Sequence, residues 1–135
     1  MIVVDASVVV KLLTEEHGSD LAIDRISREP ERTAPDWLQV EIASALAKKV
    51  RYAGLPTDQA QRSLAAIPAV MPDMVPSTPL LSHAMELSIA LRHALYDCLY
   101  LALAIREDCA VLTADIKFFE AAGRSEYHHR VELLA

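Results

Sequence analysis

The sequence predicts an α/β fold: a central parallel sheet with helices on both faces. Three observations predict it. Two short runs, at 2–4 and 110–113, are apolar and rich in β-branched residues, as strands buried on both faces are. Longer segments with apolar residues at helical spacing alternate with the short runs, and that alternation belongs to parallel sheets. Both runs lead into an acidic residue and then a helix, with Asp5 in one case and Asp115 in the other. An Asp there sits at the carboxyl edge of the sheet, where open α/β sheets bind ligands.

A chain of 135 residues fits a single domain, 1–135, with room for a core. Hydrophobic residues make up 53% and the mean hydropathy is +0.21, a surplus that leaves apolar surface for a partner. The apolar stretches are broken by Arg92, His93 and Asp97, so no run approaches the ~18 residues of a membrane helix. No basic region precedes the first apolar run, and Asp5 lies within it. A signal peptide is therefore not expected, and the expected location is cytoplasmic. Cys98 and Cys109 have no metal spacing and are expected as buried small hydrophobes. The net charge of −6 argues against a generic nucleic-acid coat protein. It leaves a nuclease open, because cations bound at a carboxylate site restore the local charge balance.

In chain order, the strand at 2–4 is followed by a helix over 7–13, a polar break at 14–18, and a helix to 27 capped by Ser19 or Asp20. A strand at 32–34 precedes Pro35. Asp36 is placed to cap a helix that runs to Tyr52 and stops at Gly54. Leu38, Ile42, Ala45, Leu46 and Lys49 form its stripe, with Glu41 on the flank. Lys48, Lys49 and Arg51 suit the negative end of the helix dipole, and a phosphate backbone is the other use open to them. Thr57 is placed to cap the next helix. Four prolines between 68 and 79 punctuate an extended region with a short strand near Met74 and Val75. Ser77 or Thr78 then starts a helix.

The segment 94–105 is apolar nearly all round after Asp97, as a buried helix is. Asp97 near its start is favoured by the dipole and the free N–H groups, yet a buried charge without a partner is costly. A bound cation would supply that partner. The run 110–113 closes in Thr-Ala-Asp at 113–115, with a helix after it that Phe118 and Phe119 pack down and Gly123 ends. Residues 131–134 form an edge strand. Asp5 and Asp115 each have a simpler role open to them, as helix N-caps; for Glu41 it is a surface position. The histidines at 17, 83, 93, 128 and 129 read as surface or structural.

Brought to one crevice, Asp5, Glu41, Asp97 and Asp115 would repel one another and stay ionised only around cations. All-oxygen ligands suit Mg²⁺ or Mn²⁺, and such a site activates water for attack on a phosphodiester. No Ser-His-Asp or Cys-His arrangement, P-loop or GxGxxG turn is present. An aspartyl phosphatase would want a second Asp where Ser7 stands, and a receiver domain would want an acidic pair beside Asp5.

Four motifs recur together over essentially the whole chain: Val-Val-Asp-Ala-Ser at 3–7, Ala-Pro-Asp-Trp-Leu-Gln-Val-Glu-Ile-Ala-Ser-Ala-Leu at 34–46, Leu-Tyr-Asp-Cys-Leu-Tyr-Leu-Ala-Leu-Ala at 95–104 and Leu-Thr-Ala-Asp at 112–115. In these the chain resembles the PIN-domain family and, within it, the VapC-like ribonuclease toxins of toxin–antitoxin pairs. The resemblance implies a three-layer PIN-like fold. It implies that Asp5, Glu41, Asp97 and Asp115 are the acidic, metal-binding tetrad of a Mg²⁺- or Mn²⁺-dependent endoribonuclease, with Ser7 and Thr113 as hydroxyls beside the metal. Ser44 departs from the family's frequent Asn. The resemblance further implies a homodimer and a cognate antitoxin that places a basic side chain in the acidic pocket. The alternatives are a catalytically silent PIN-like protein-binding module and a PIN nuclease of RNA processing.

Overall fold

The computed structural model describes all residues from Met1 to Ala135. Five short strands form one sheet: β1 (Ile2–Val4), β2 (Arg32–Pro35), β3 (Met74–Val75), β4 (Val111–Thr113) and β5 (Val131–Leu133). Their order is β3-β2-β1-β4-β5 and every neighbouring pair is parallel. Helices flank the sheet: α1 (Ala6–Leu13), α2 (Ser19–Ser27), α3 (Leu38–Tyr52), α4 (Thr57–Ala65), α5 (Ile67–Val70), α6 (Leu81–Leu91), α7 (Leu95–Arg106) and α8 (Ile116–Gly123). The predicted α/β class and the edge strand at the C-terminal end both hold.

The strand order places the site. After β1 the chain builds outward through β2 and β3 on one side. It then returns to lay β4 and β5 on the other. The reversal leaves a crevice at the carboxyl ends of β1 and β4, the topological switch point where open sheets bind ligands. Val4 pairs with Leu112 and the Asp5 amide donates to the Leu112 carbonyl at 3.1 Å. Asp5 and Thr113 therefore leave the sheet side by side.

The central strands are as apolar as their sequence implied: Val3, Val4, Val111 and Leu112 are fully buried. α7 packs against β1, β2 and β4, and α6 packs on α7. Every residue of α7 from Cys98 to Ala104 is buried, which explains why its sequence has no polar face. No single helix is long and apolar enough to cross a membrane. α3 buries Leu38, Ile42 and Leu46 of the predicted stripe, while Ala45 and Lys49 are half-buried at its margin.

The helix starts differ from expectation at several caps. α3 begins at Leu38, and Asp36 does not cap it. The Asp36 carboxylate instead accepts from the Ser77 amide at 3.0 Å and the Ser77 hydroxyl at 2.7 Å, while Ser77 Oγ accepts the Trp37 amide at 2.9 Å. The β2–β3 pairing brings Ser77 there, so a distant hydroxyl takes the capping role. Gly18, at φ +89°, occupies the cap position of α2, and Ser19 is its first helical residue. That left-handed conformation favours glycine. Ser19 Oγ instead donates to the Thr14 carbonyl and accepts the Glu16 amide. Pro56, not Thr57, precedes α4. Thr78 opens a single 3-10 turn before α6.

Candidate active site

Asp5 is held from both sides. Its backbone is extended as β1 ends, and its Oδ1 accepts the Ser7 amide at 2.9 Å, so it does N-cap α1. The Ser7 hydroxyl also donates to Oδ1, and the Thr113 hydroxyl donates to Oδ2. The hydroxyls are themselves fixed. Ser7 Oγ accepts the Ala114 amide at 2.9 Å, and Thr113 Oγ1 accepts the Asp115 amide at 3.0 Å. The predicted accessory hydroxyls thus bracket Asp5. The carboxylate is only 2% exposed. Burial pushes its pKa up to about 6, against the pull of the Ser7 and Thr113 hydrogen bonds and with added repulsion from Asp97.

Glu41 stands in the first turn of α3. Its Oε1 accepts the Tyr100 hydroxyl at 2.7 Å. Burial pushes its pKa up to about 7. The Tyr100 hydrogen bond opposes this, and the charges of Asp97 and Asp5 add to it. Asp97 lies in the first turn of α7, with Oδ2 2.6 Å from His93 Nε2. When the carboxylate is ionised, the ring nitrogen donates. Burial raises the Asp97 pKa, His93 lowers it and the charge of Asp115 raises it. Asp115 N-caps α8, accepting the Lys117 amide at 2.9 Å and the Phe118 amide at 3.3 Å.

All four predicted acids therefore reach one edge of the sheet, and their charges are felt from one to the next. Capping does not keep Asp5 and Asp115 from the shared edge: each caps a helix and each lies there. As the side chains stand, no three His, Cys, Asp or Glu residues are gathered closely enough to hold one ion. Three of the carboxylates are drawn onto neighbouring hydroxyls and a ring nitrogen. The donor set nevertheless suits a hard divalent cation: it is all oxygen, and two of its members are desolvated enough to hold protons near neutrality.

Two residues of the site were not singled out in the sequence. His93, expected as surface or structural, pairs with Asp97 and stacks on Phe118 at 5.5 Å between ring centroids. It lies in the connection between α6 and α7, two residues before α7 begins, so no helical spacing tied it to Asp97. Tyr100 is 1% exposed and spends its hydroxyl on Glu41. The Lys49 ammonium pairs with Glu16, which removes it from the cations open to a phosphate.

A family model described as the PIN domain matches residues 2–124. The chain belongs to the PIN-domain family. Two Mycobacterium tuberculosis relatives of this PIN chain, both named Ribonuclease VapC1 and from strains CDC 1551 / Oshkosh and ATCC 25618 / H37Rv, are 33% identical over 123 residues, 90% of each chain. PAE2754 from Pyrobaculum aerophilum superposes with a TM-score of 0.71 at 18% identity, covering 96% of this chain and 81% of that one. It supports the PIN fold.

Proposed function

We propose that this protein is a Mg²⁺- or Mn²⁺-dependent endoribonuclease, the toxin of a toxin–antitoxin pair, with 1–135 acting as one nuclease domain. The observation that carries the reading is the convergence of Asp5, Glu41, Asp97 and Asp115 at the switch point, with burial and mutual repulsion raising three of the four. Such a cluster is costly when ionised and empty of cations. The similarity to proteins named Ribonuclease VapC1 supports RNA as the substrate.

Asp5, Glu41, Asp97 and Asp115 would hold the metal, which supplies an acidified water and charge neutralisation at the scissile phosphate. The remaining residues prepare those ligands. Ser7 and Thr113 fix both oxygens of Asp5 in place. Tyr100 and His93 lower the proton affinity of Glu41 and Asp97, keeping them anionic nearer neutral pH.

The partners proposed with this reading are an RNA substrate, a cognate antitoxin and a second copy of the chain in the cytoplasm. Leu81, Met85 and Ile89 lie one turn apart on α6 and are all exposed, which supports self-association. A rival reading, a silent protein-binding module, is favoured by one observation: the carboxylates are tied to neighbours instead of gathered on a point.

The deciding experiment incubates antitoxin-free protein with total host RNA, with Mg²⁺ or Mn²⁺ or with EDTA, beside Asp97→Asn. Discrete fragments that need both the metal and Asp97 are expected. Folded protein that neither cuts RNA nor binds Mn²⁺ would return the chain to the binding module.

A further inference from the structure

Beside the carboxylates lies a groove that shares only Glu41 with the acidic cluster. It is about 380 Å³ in volume and is lined by Trp37, Val40, Glu41, Ser44, Lys48 and Tyr96, among others. Glu41 belongs to both places, so the groove runs directly out of the site. Residues 41, 44 and 48 follow one face of α3 at helical spacing, with Trp37 at the cap position just before it, which sets Lys48 about 10 Å from Glu41 along the axis.

The groove is built around an aromatic pair. The Trp37 and Tyr96 rings stack at 5.6 Å between centroids and 13° between planes. Tyr96 remains 50% exposed and Val40 48% exposed, so the stack ends at solvent. The Trp37 indole N–H is buried without a hydrogen-bond partner. Lys48 forms none of the protein's ion pairs, while Lys49 next to it is committed to Glu16.

Charge explains why such a groove is needed. A chain of net charge −6 is poorly suited to gripping RNA by its phosphates alone. Stacking on an aromatic face is independent of that balance and accepts any base. It also selects strandedness, because a base inside a duplex is already stacked on both faces.

We propose that the groove is a nucleotide subsite of the carboxylate site: an unpaired RNA base stacks on the free face of Tyr96, continuing the Trp37–Tyr96 stack, and Lys48 receives a phosphate of the same strand. The subsite deepens the nuclease reading and rests on it. Tyr96 and Lys48 are positioning residues for one nucleotide of the substrate strand.

The test uses a short unstructured RNA oligonucleotide, the same strand annealed to its complement, and copies carrying one abasic residue at successive positions. Tyr96→Ala is expected to raise KM roughly 5- to 100-fold with little change in kcat, the span set by the loss of one stacked base. Tyr96→Phe should restore the wild-type KM. One abasic position beside the cleaved bond should raise the wild-type KM by a similar factor and add nothing to Tyr96→Ala. The duplex should be a poor substrate. An unchanged KM in Tyr96→Ala, or equal cutting of duplex and single strand, overturns the subsite while leaving the nuclease reading in place.

Trp37 is the only tryptophan in the chain, so its fluorescence in Asp97→Asn reports groove occupancy without cleavage. Quenching by the single strand that disappears when Tyr96→Ala is added, together with no cleavage by wild type, would uphold the groove and reject the nuclease. No quenching overturns the groove. A fall in molar mass by light scattering in Tyr96→Ala would also overturn it, by making the groove a contact between copies of the chain.

Discussion

The Tyr100 hydroxyl, carried by α7, donates at 2.7 Å to the carboxylate of Glu41 on α3. It is a buried donor serving a carboxylate whose pKa already stands at about 7. Tyr100→Phe keeps the ring and its packing and removes only the donor. Glu41 should then hold its proton to higher pH, moving the acid limb of the cleavage–pH profile upward. Above pH 8, where Glu41 is ionised, the variant should lose about 2 kcal/mol in urea unfolding, the scale of a hydrogen bond to a charged group. An acid limb at the wild-type position would show that Glu41 does not govern activity.

Stability of the metal-free protein should fall as pH rises. Asp5 and Glu41 have folded-state pKa values above their ordinary 3.8 and 4.5, at about 6 and about 7. In that window the folded state binds more protons than the unfolded one, so their contribution is full below about pH 4. It is lost as pH rises through about 6 and then 7. For Asp5 alone, moving from 3.8 to about 6 corresponds to roughly 3 kcal/mol. Melting temperature without metal should therefore drop between pH 5 and 8, and Mn²⁺ should restore it at pH 8 while doing little at pH 4. A melting temperature that is flat in pH and indifferent to Mn²⁺ would contradict the cluster's electrostatics.

Asp5→Asn and Asp97→Asn should abolish cleavage and leave the fold intact. Each removes one charge from a repelling group. In Asp5→Asn the side-chain amide oxygen can still accept the Ser7 amide, so the cap of α1 survives. Without metal, both variants should melt at or above the wild-type temperature at pH 8, and the Mn²⁺-induced rise should vanish. Retained cleavage in either variant would remove that residue from the site.

The site was legible where its residues sit in local patterns. Asp5 and Asp115 each end an apolar run, and Asp97 interrupts one, so the carboxylates showed themselves against β-branched and apolar neighbours. The same pattern marked β1 and β4, whereas the strands at 32–34 and 74–75 were read beside the prolines that bound them. The hydrogen bonds that tune the carboxylates were less visible. Tyr100 and Glu41 are separated by 59 residues, and nothing local to either announces the other. Asp36 had the right type and position for an N-cap, but the β2–β3 pairing set Ser77 against it. A local propensity lost there to a tertiary contact.

Leu101→Ala separates packing from chemistry. Leu101 is fully buried on α7, one turn beyond Asp97. Truncating it should cost roughly 2–5 kcal/mol of stability through lost burial and the cavity left behind. Chemical denaturation should report that loss. At a temperature where the variant is still folded, its Mn²⁺ midpoint should stay close to wild type, because no carboxylate loses a hydrogen bond.

His93→Phe tests the pairing of His93 with Asp97. The substitution keeps an aromatic ring against Phe118 and deletes the nitrogen 2.6 Å from the Asp97 carboxylate. Both of the influences by which His93 lowers the Asp97 pKa disappear, while burial and the Asp115 charge continue to raise it. Protons then compete better with the cation for Asp97. The Mn²⁺ concentration for half-maximal cleavage should rise at pH 6–7, and the gap to wild type should close above pH 8. At high pH and saturating Mn²⁺, kcat should recover. A defect that persists there would mean His93 acts on the substrate directly, because a residue whose work is to keep Asp97 ionised becomes dispensable once solvent removes the proton.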